Sequence, residues 1–262
     1  KAAEKGLLTF HHRHRVTELV FTDGSVTGIR GVLLAPDDSA RGVASNRDEI
    51  GEFELSAQAV ILTTGGIGGN HDLVRQNWPE RLGKAPREMV TGVPAYVDGS
   101  GLSIAADAGA RLVNSDRMWH YTEGIQNWDP VWPGHGIRIL SAPSPMWFDA
   151  LGRRLPAPYL PGYDTMGTLR HLRTTPDIAE YDHSWLILNE RIIAKEFALS
   201  GSEQNPDITS GSKVEVVKSR LAKGVPGPVQ AFVDQGADFV VADRIEDLVQ
   251  KMNALTDEPL LD

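Results

Sequence analysis

The run Ala59-Val60-Ile61-Leu62-Thr63-Thr64-Gly65-Gly66-Ile67-Gly68-Gly69-Asn70 decides how this chain is to be read. Apolar residues lead into two threonines and paired glycines, the pattern of a strand that ends in a tight turn. The unbroken Val60-Ile61-Leu62 suits a strand covered on both faces, as in a parallel sheet. The glycines allow positive φ and a close backbone approach. Asn70 is placed to cap a helix from Asp72 to about Trp78, stopped by Pro79. In an open α/β sheet, ligands lie beyond the carboxyl ends of strands, where this turn falls. Spacing alone leaves two choices open: a cofactor or substrate contact, or a plain Gly-rich strand-to-helix connection.

Working outward, the 262 residues suffice for one large domain or two modest ones. A net charge of −9 argues against a nucleic-acid backbone as partner. No run of about 18 apolar residues marks a membrane span, and Lys1–Leu8 lacks the apolar core of a secretory signal. Cysteine is absent, which excludes thiolate chemistry and cysteine metal sites and is compatible with a cytoplasmic location.

Upstream, Lys1–Lys5 reads as the tail of a helix ended by Gly6. Strands are expected over Leu7–His12, Arg15–Thr22, Ser25–Ala35 and Glu52–Ser56, with Asp23-Gly24 as a hairpin turn. Downstream, Asp98-Gly99 precedes an amphipathic helix over Leu102–Ala110, and Leu112-Val113 resumes as strand. From Asp116 to about Pro161, Trp, Pro, Gly and His replace regular periodicity. A boundary is therefore expected near Arg117, giving domains 1–117 and 118–262, with a return of the second toward the first near its end as one option. The second domain is expected to hold a strand over Asp182–Leu188 and helices over Asn189–Leu199, Lys213–Lys223, Val229–Gln235 and Ile245–Leu255.

His11, His12 and His14 could share a metal, but no carboxylate stands within reach along the strand, and a solvated strand face fits better. No metal is expected. Asp98 is read as a plain N-cap or as an acceptor for a ligand hydroxyl. Met118–Glu123 with Trp128, Trp132, His135 and Arg138 mixes rings with titratable groups. Such mixtures line pockets for flat apolar ligands, or simply pin an irregular loop to a core. Phe148–Leu155 reads as a turn at Ala150–Gly152 followed by a basic strand. Tyr163 can move a proton only if something lowers its reference pKa of about 10.

In this order, Arg15–Leu19 with its hairpin, Ala59–Asn70, Asp98-Gly99, Ala105–Ala110 and Phe148-Asp-x-x-Gly-Arg-Arg154 resemble the FAD-dependent fumarate reductase, succinate dehydrogenase and ketosteroid dehydrogenase superfamily. Within it the chain is most similar to actinobacterial FAD-binding dehydrogenases. The resemblance covers nearly the whole chain. It implies a mixed α/β fold: part of a Rossmann-like FAD-binding domain with a β-meander, plus an irregular α+β substrate or capping domain. The family's Gly-x-Gly-x-x-Gly and its Gly-rich closing segment are missing from this sequence. The chain is therefore expected to be an internal fragment, inactive alone and holding FAD weakly or not at all.

Carried over residue by residue, the resemblance implies a cofactor contact at the backbone of Val16. It places Thr63, Thr64 and Gly65 in the turn that passes FAD, and Asp98 at the family's acidic position, here within Tyr96-Val97-Asp98-Gly99. Gly152-Arg153-Arg154-Leu155 runs into Pro156 without the Asn-Glu and arginine of fumarate reductases, which counts against fumarate reduction. Tyr163-Asp164 resembles the ketosteroid dehydrogenase base, with His120, Tyr121 and Arg138 at the substrate pocket. The implied parent is a dehydrogenase of CH–CH bonds next to a carbonyl, acting on a small apolar carbonyl compound. The alternatives are a fumarate-reductase-like enoate reductase, a non-catalytic apolar-ligand module and a flavin-free scaffold.

Overall fold

The computed structural model describes residues 1–40, 43–140, 143–201, 204–205, 209–221 and 224–262. Its strands are β1 (His14–Thr22), β2 (Ser25–Leu34), β3 (Glu49–Ser56), β4 (Gly124–Gln126), β5 (Gly136–Leu140), β6 (Met146–Phe148), β7 (Trp185–Ile187) and β8 (Ala198–Leu199). Its helices are α1 (His71–Gln76), α2 (Ser100–Asp107), α3 (Thr165–Thr174), α4 (Glu190–Glu196), α5 (Lys213–Leu221), α6 (Gly227–Gln235) and α7 (Ile245–Asn253). Two compact units result: Lys1–Asn70 with Tyr96–Asn114, and His71–Ala95 with Ser115–Asp262.

The first unit is built on an antiparallel meander, order β1-β2-β3. Asp23 and Gly24 both take positive φ, 50° and 78°, as a type I′ hairpin turn demands. That turn pairs Thr22 with Ser25 and so sets the register of the hairpin. The register shifts between Val16 and Glu18, where Thr17 is the extra residue of a bulge. Arg30 ties the three strands laterally through Glu18 at 3.0 Å and Glu54 at 2.9 Å. Helix α2 lies beside β1.

The expected strand at Val60–Leu62 does not form. Residues 58–66 make no backbone hydrogen bond among the described residues, and Ile61 is 86% exposed. An apolar run needs neighbouring strands to complete its ladder, and none of the described residues pairs with this one. The fold is thus mixed α/β with small antiparallel sheets, in place of the anticipated parallel strand. Leu7–His12 and Leu112-Val113 are likewise irregular rather than strands, with Leu7 and Val113 exposed for the same want of a partner. Lys1–Lys5 forms successive turns rather than the end of a helix.

In the second unit, β4-β5-β8 form one antiparallel sheet and β6-β7 another. Ile125, Ile137, Ile139 and Leu199 from the first of these pack against Ile193, Phe197, Val229 and Phe232. Phe232, on α6, is fully buried. Burying a phenylalanine side chain contributes roughly 1.5–3 kcal/mol, so this cluster is where the unit gains its stability. Helix α3 was not signalled by periodicity; Asp164 caps it by accepting from the Gly167 N–H at 2.8 Å. Asn189 caps α4 in the same manner, from Ile192 N–H at 3.0 Å. The expected end of the following helix at Lys223 lies outside the described residues.

Candidate functional site

In the first unit, Thr63, Thr64, Gly65 and Asp98 gather at the start of α2. Gly65 takes φ +85°, and the Gly69 N–H donates to the Val97 carbonyl at 2.8 Å. Gly101, buried in the first turn of α2, lets the helix press against Thr64: a Cβ there would overlap Thr64 Oγ1 and stand 2.8 Å from its Cβ. Asp98 Oδ1 accepts from the Ser100 N–H at 2.9 Å. That bond holds the Asp98 carboxyl below the usual carboxylate range, with Arg15 adding a smaller favourable charge. The Thr63 and Thr64 hydroxyls have no hydrogen-bond partner among the described residues. Val16 is half-buried on β1, next to the bulge that interrupts the ladder.

In the second unit, the structure joins Tyr121 and Arg138. The Arg138 guanidinium lies 3.9 Å from the centre of the Tyr121 ring, a cation–π contact. Arg138 sits on β5, its N–H donating to Ser200 Oγ at 3.0 Å and its carbonyl accepting from Ser200 N–H at 2.9 Å. Beside it is Glu123, which the sequence did not single out as a site residue. Its side chain is 5% exposed, and its Oε2 stands 3.7 Å from Arg138 Nε. Its other oxygen accepts from the Thr165 hydroxyl at 3.0 Å. Only the tertiary fold brings Glu123, Arg138 and Thr165 together, since they are far apart in sequence.

His120 is placed differently. It packs on Trp78, ring centres 4.4 Å apart, and its Nε2 is buried without a hydrogen-bond partner among the described residues. Burial, aided by the Arg81 charge, pushes its pKa down and so favours the neutral imidazole. Tyr163 is 74% exposed, and its neighbour Asp164 is committed to capping α3. Thr165, two residues on, is the one that reaches Glu123. Arg153 serves a turn rather than a ligand: it pairs with Asp149 at 2.8 Å and also with Asp177. Around Trp132 and His135 the rings pin the irregular loop, with Trp132 Nε1 donating to the Thr91 carbonyl at 3.2 Å and His135 Nδ1 in contact with Asn127 Nδ2 at 3.1 Å. No group of three or more His, Cys, Asp or Glu able to hold a metal occurs among the described residues. No described helix is long and apolar enough to cross a membrane.

The FAD binding domain family matches residues 1–255 of the chain. A KsdD-like steroid dehydrogenase of Mycolicibacterium smegmatis is 58% identical over 253 residues, 97% of this chain and 45% of the relative. Two KsdD-like steroid dehydrogenases of Mycobacterium tuberculosis strains are 52% and 51% identical over 259 residues, 99% of this chain and 45% of each relative. The chain therefore spans less than half the length of the curated relatives it matches.

Proposed function

The chain belongs to the FAD binding domain family, and on that premise we propose that the protein it is part of is an FAD-dependent dehydrogenase of ketosteroid-like substrates. It oxidises a CH–CH bond next to a carbonyl. The single observation that supports this most is the Arg138 guanidinium laid on the Tyr121 ring. A ring face beside a cationic donor suits an apolar skeleton that ends in a carbonyl oxygen.

The residues of the first unit fit one wall of an FAD site. The unpaired backbone of 58–66 and the unpartnered Thr63 and Thr64 hydroxyls supply donors and acceptors to an extended polar ligand. Gly65 and the Val16 backbone lie along the same unit, and Asp98 fixes the helix start behind them. In this proposal the first unit is part of a Rossmann-like FAD-binding domain, and the second unit is the substrate or capping domain. FAD, when bound, supplies the hydride-accepting chemistry.

The chain's own residues bind and move the proton. Arg138 donates to the carbonyl oxygen, which makes the hydrogens on the adjacent carbon more acidic. Tyr163, having first given its hydroxyl proton to solvent, receives as the phenolate the proton lost from that carbon. Neutral His120 and Tyr121 line the apolar body of the substrate. Placing Tyr163 beside Arg138 is supported by the Thr165–Glu123 bond, which anchors the start of α3 to the Arg138 cluster.

The test uses full-length protein, progesterone as probe and an artificial dye as final electron acceptor. Progesterone should reduce the flavin, and Tyr163→Phe should lower kcat by about 100-fold or more while leaving flavin content unchanged. Flavin that progesterone never bleaches would overturn the proposed activity. An unaltered kcat in Tyr163→Phe would remove that tyrosine from the reaction.

A further inference from the structure

Glu123 holds together residues that the sequence separates. We propose that Glu123 is a positioning residue that holds the Arg138 guanidinium over Tyr121 and offsets its charge, so that the site takes a neutral carbonyl rather than a carboxylate; this rests on the dehydrogenase function proposed above.

The backbones on both sides are fixed. The Ile139 N–H donates to the Glu123 carbonyl at 2.8 Å, and Arg138 pairs with Gly124 across the β4–β5 ladder. What remains adjustable is the gap between the two side chains. At 3.7 Å the pair is an ion contact but too long for a hydrogen bond. Both facing atoms, Glu123 Oε2 and Arg138 Nε, are buried and lack a hydrogen-bond partner among the described residues. A buried carboxylate left without a cation is costly, so Arg138 is drawn toward it. The Tyr121 ring prevents the guanidinium from tilting away, and Thr165 fixes the other oxygen of the carboxylate.

Two consequences follow from this geometry. First, the guanidinium is oriented, and its terminal N–H groups donate to no acceptor among the described residues. Second, the Glu123–Arg138 pair is neutral overall. A neutral pair still donates to a ketone oxygen but gives little net attraction to an anion. The site therefore discriminates by charge as well as by shape, a role a buried acid can fill only beside a ligand-facing base.

The experiment compares wild-type, Glu123→Gln, Arg138→Gln and the double variant in full-length protein, with progesterone as substrate and fumarate as a competing carboxylate. Glu123→Gln should lower kcat/KM for progesterone by about 100-fold, the size of a misplaced ligand-positioning group. The double variant should be no worse than Arg138→Gln alone, because Glu123 acts through Arg138. Inhibition by fumarate should tighten in Glu123→Gln, where the Arg138 charge is unmasked. Additive losses in the double variant, or unchanged fumarate inhibition, would overturn the proposal. Should Glu123→Gln not fold, Thr165→Val frees one carboxylate oxygen but keeps the charge, and should lower kcat/KM for progesterone in smaller measure while leaving fumarate inhibition unchanged; an unaltered kcat/KM or a tightened fumarate inhibition counts against the idea equally. If wild-type protein does not oxidise progesterone, the activity fails and Glu123 is judged by a crystal structure of the variant. An Arg138 guanidinium still centred on the Tyr121 ring would then refute its positioning role.

Discussion

The two units of this chain are stabilised by different means. The meander unit is held by ladder hydrogen bonds, a type I′ turn and lateral ion pairs such as Arg30 with Glu18 and Glu54. Its exposed residues include Phe10, Phe21, Ile50 and Ile61, while Leu34 and Ile67 are buried. The other unit closes a shared apolar core around Phe232, Ile137 and Leu199. Surface ion pairs contribute little, whereas buried side chains contribute kilocalories each. Register and stability are therefore separable: a turn can fix which residues face one another without supplying the burial that makes the sheet robust.

The strongest way to break that contrast is at Phe232. Phe232→Ala should cost about 3–5 kcal/mol in urea denaturation, since it empties a fully buried site. Phe21→Ala, at an exposed position of β1, should stay within about 0.5 kcal/mol. Equal losses would mean that the meander has a core of its own. A sharper test lies where α2 packs tightly against Thr64. Helix propensity alone favours Gly101→Ala by about 1 kcal/mol, but the new Cβ would meet Thr64. We expect a net loss of about 1–3 kcal/mol and weaker flavin retention in the full-length protein. A rise in melting temperature would show that α2 does not press on the turn.

The smallest effect concerns pH. The folded Asp98 carboxyl titrates below its usual range because it accepts from Ser100 N–H. Its contribution is fully present above the unfolded value of about 3.9 and is lost as pH falls through the lowered folded value. The stability difference between wild type and Asp98→Asn should therefore hold steady from neutral pH down to about 5 and close below about 4. A difference that grew on acidification would contradict the assigned direction.

The hairpin was legible because its determinants are local: Asp23-Gly24 accepts positive φ, and alternation carries the register outward from it. Helix α7 was legible for the same reason, with Ile245, Leu248, Val249 and Met252 spaced on one face. The Val60–Leu62 run misled because composition indicates a preference for burial, not the presence of partners. In the second unit, β5 is too short for its alternation to stand out. Helix α3 hid in a Pro- and Gly-rich setting until Asp164 was seen as its cap.

The candidate site divides along the same line. Tyr121 and Arg138 could be named from residue type and resemblance, yet nothing local said that they touch. Glu123 stood only as the end of the Met118–Glu123 segment, because a carboxylate becomes a positioning group only when folding places it against a cation. What the sequence alone determined was the meander and the family, both of which depend on neighbours in the chain or on ordered motifs. Tertiary structure alone decided the core around Phe232, the Gly101–Thr64 contact and the Glu123–Arg138–Tyr121 cluster. Burial and charge pairing act through space, and the residues they join can lie anywhere along the chain.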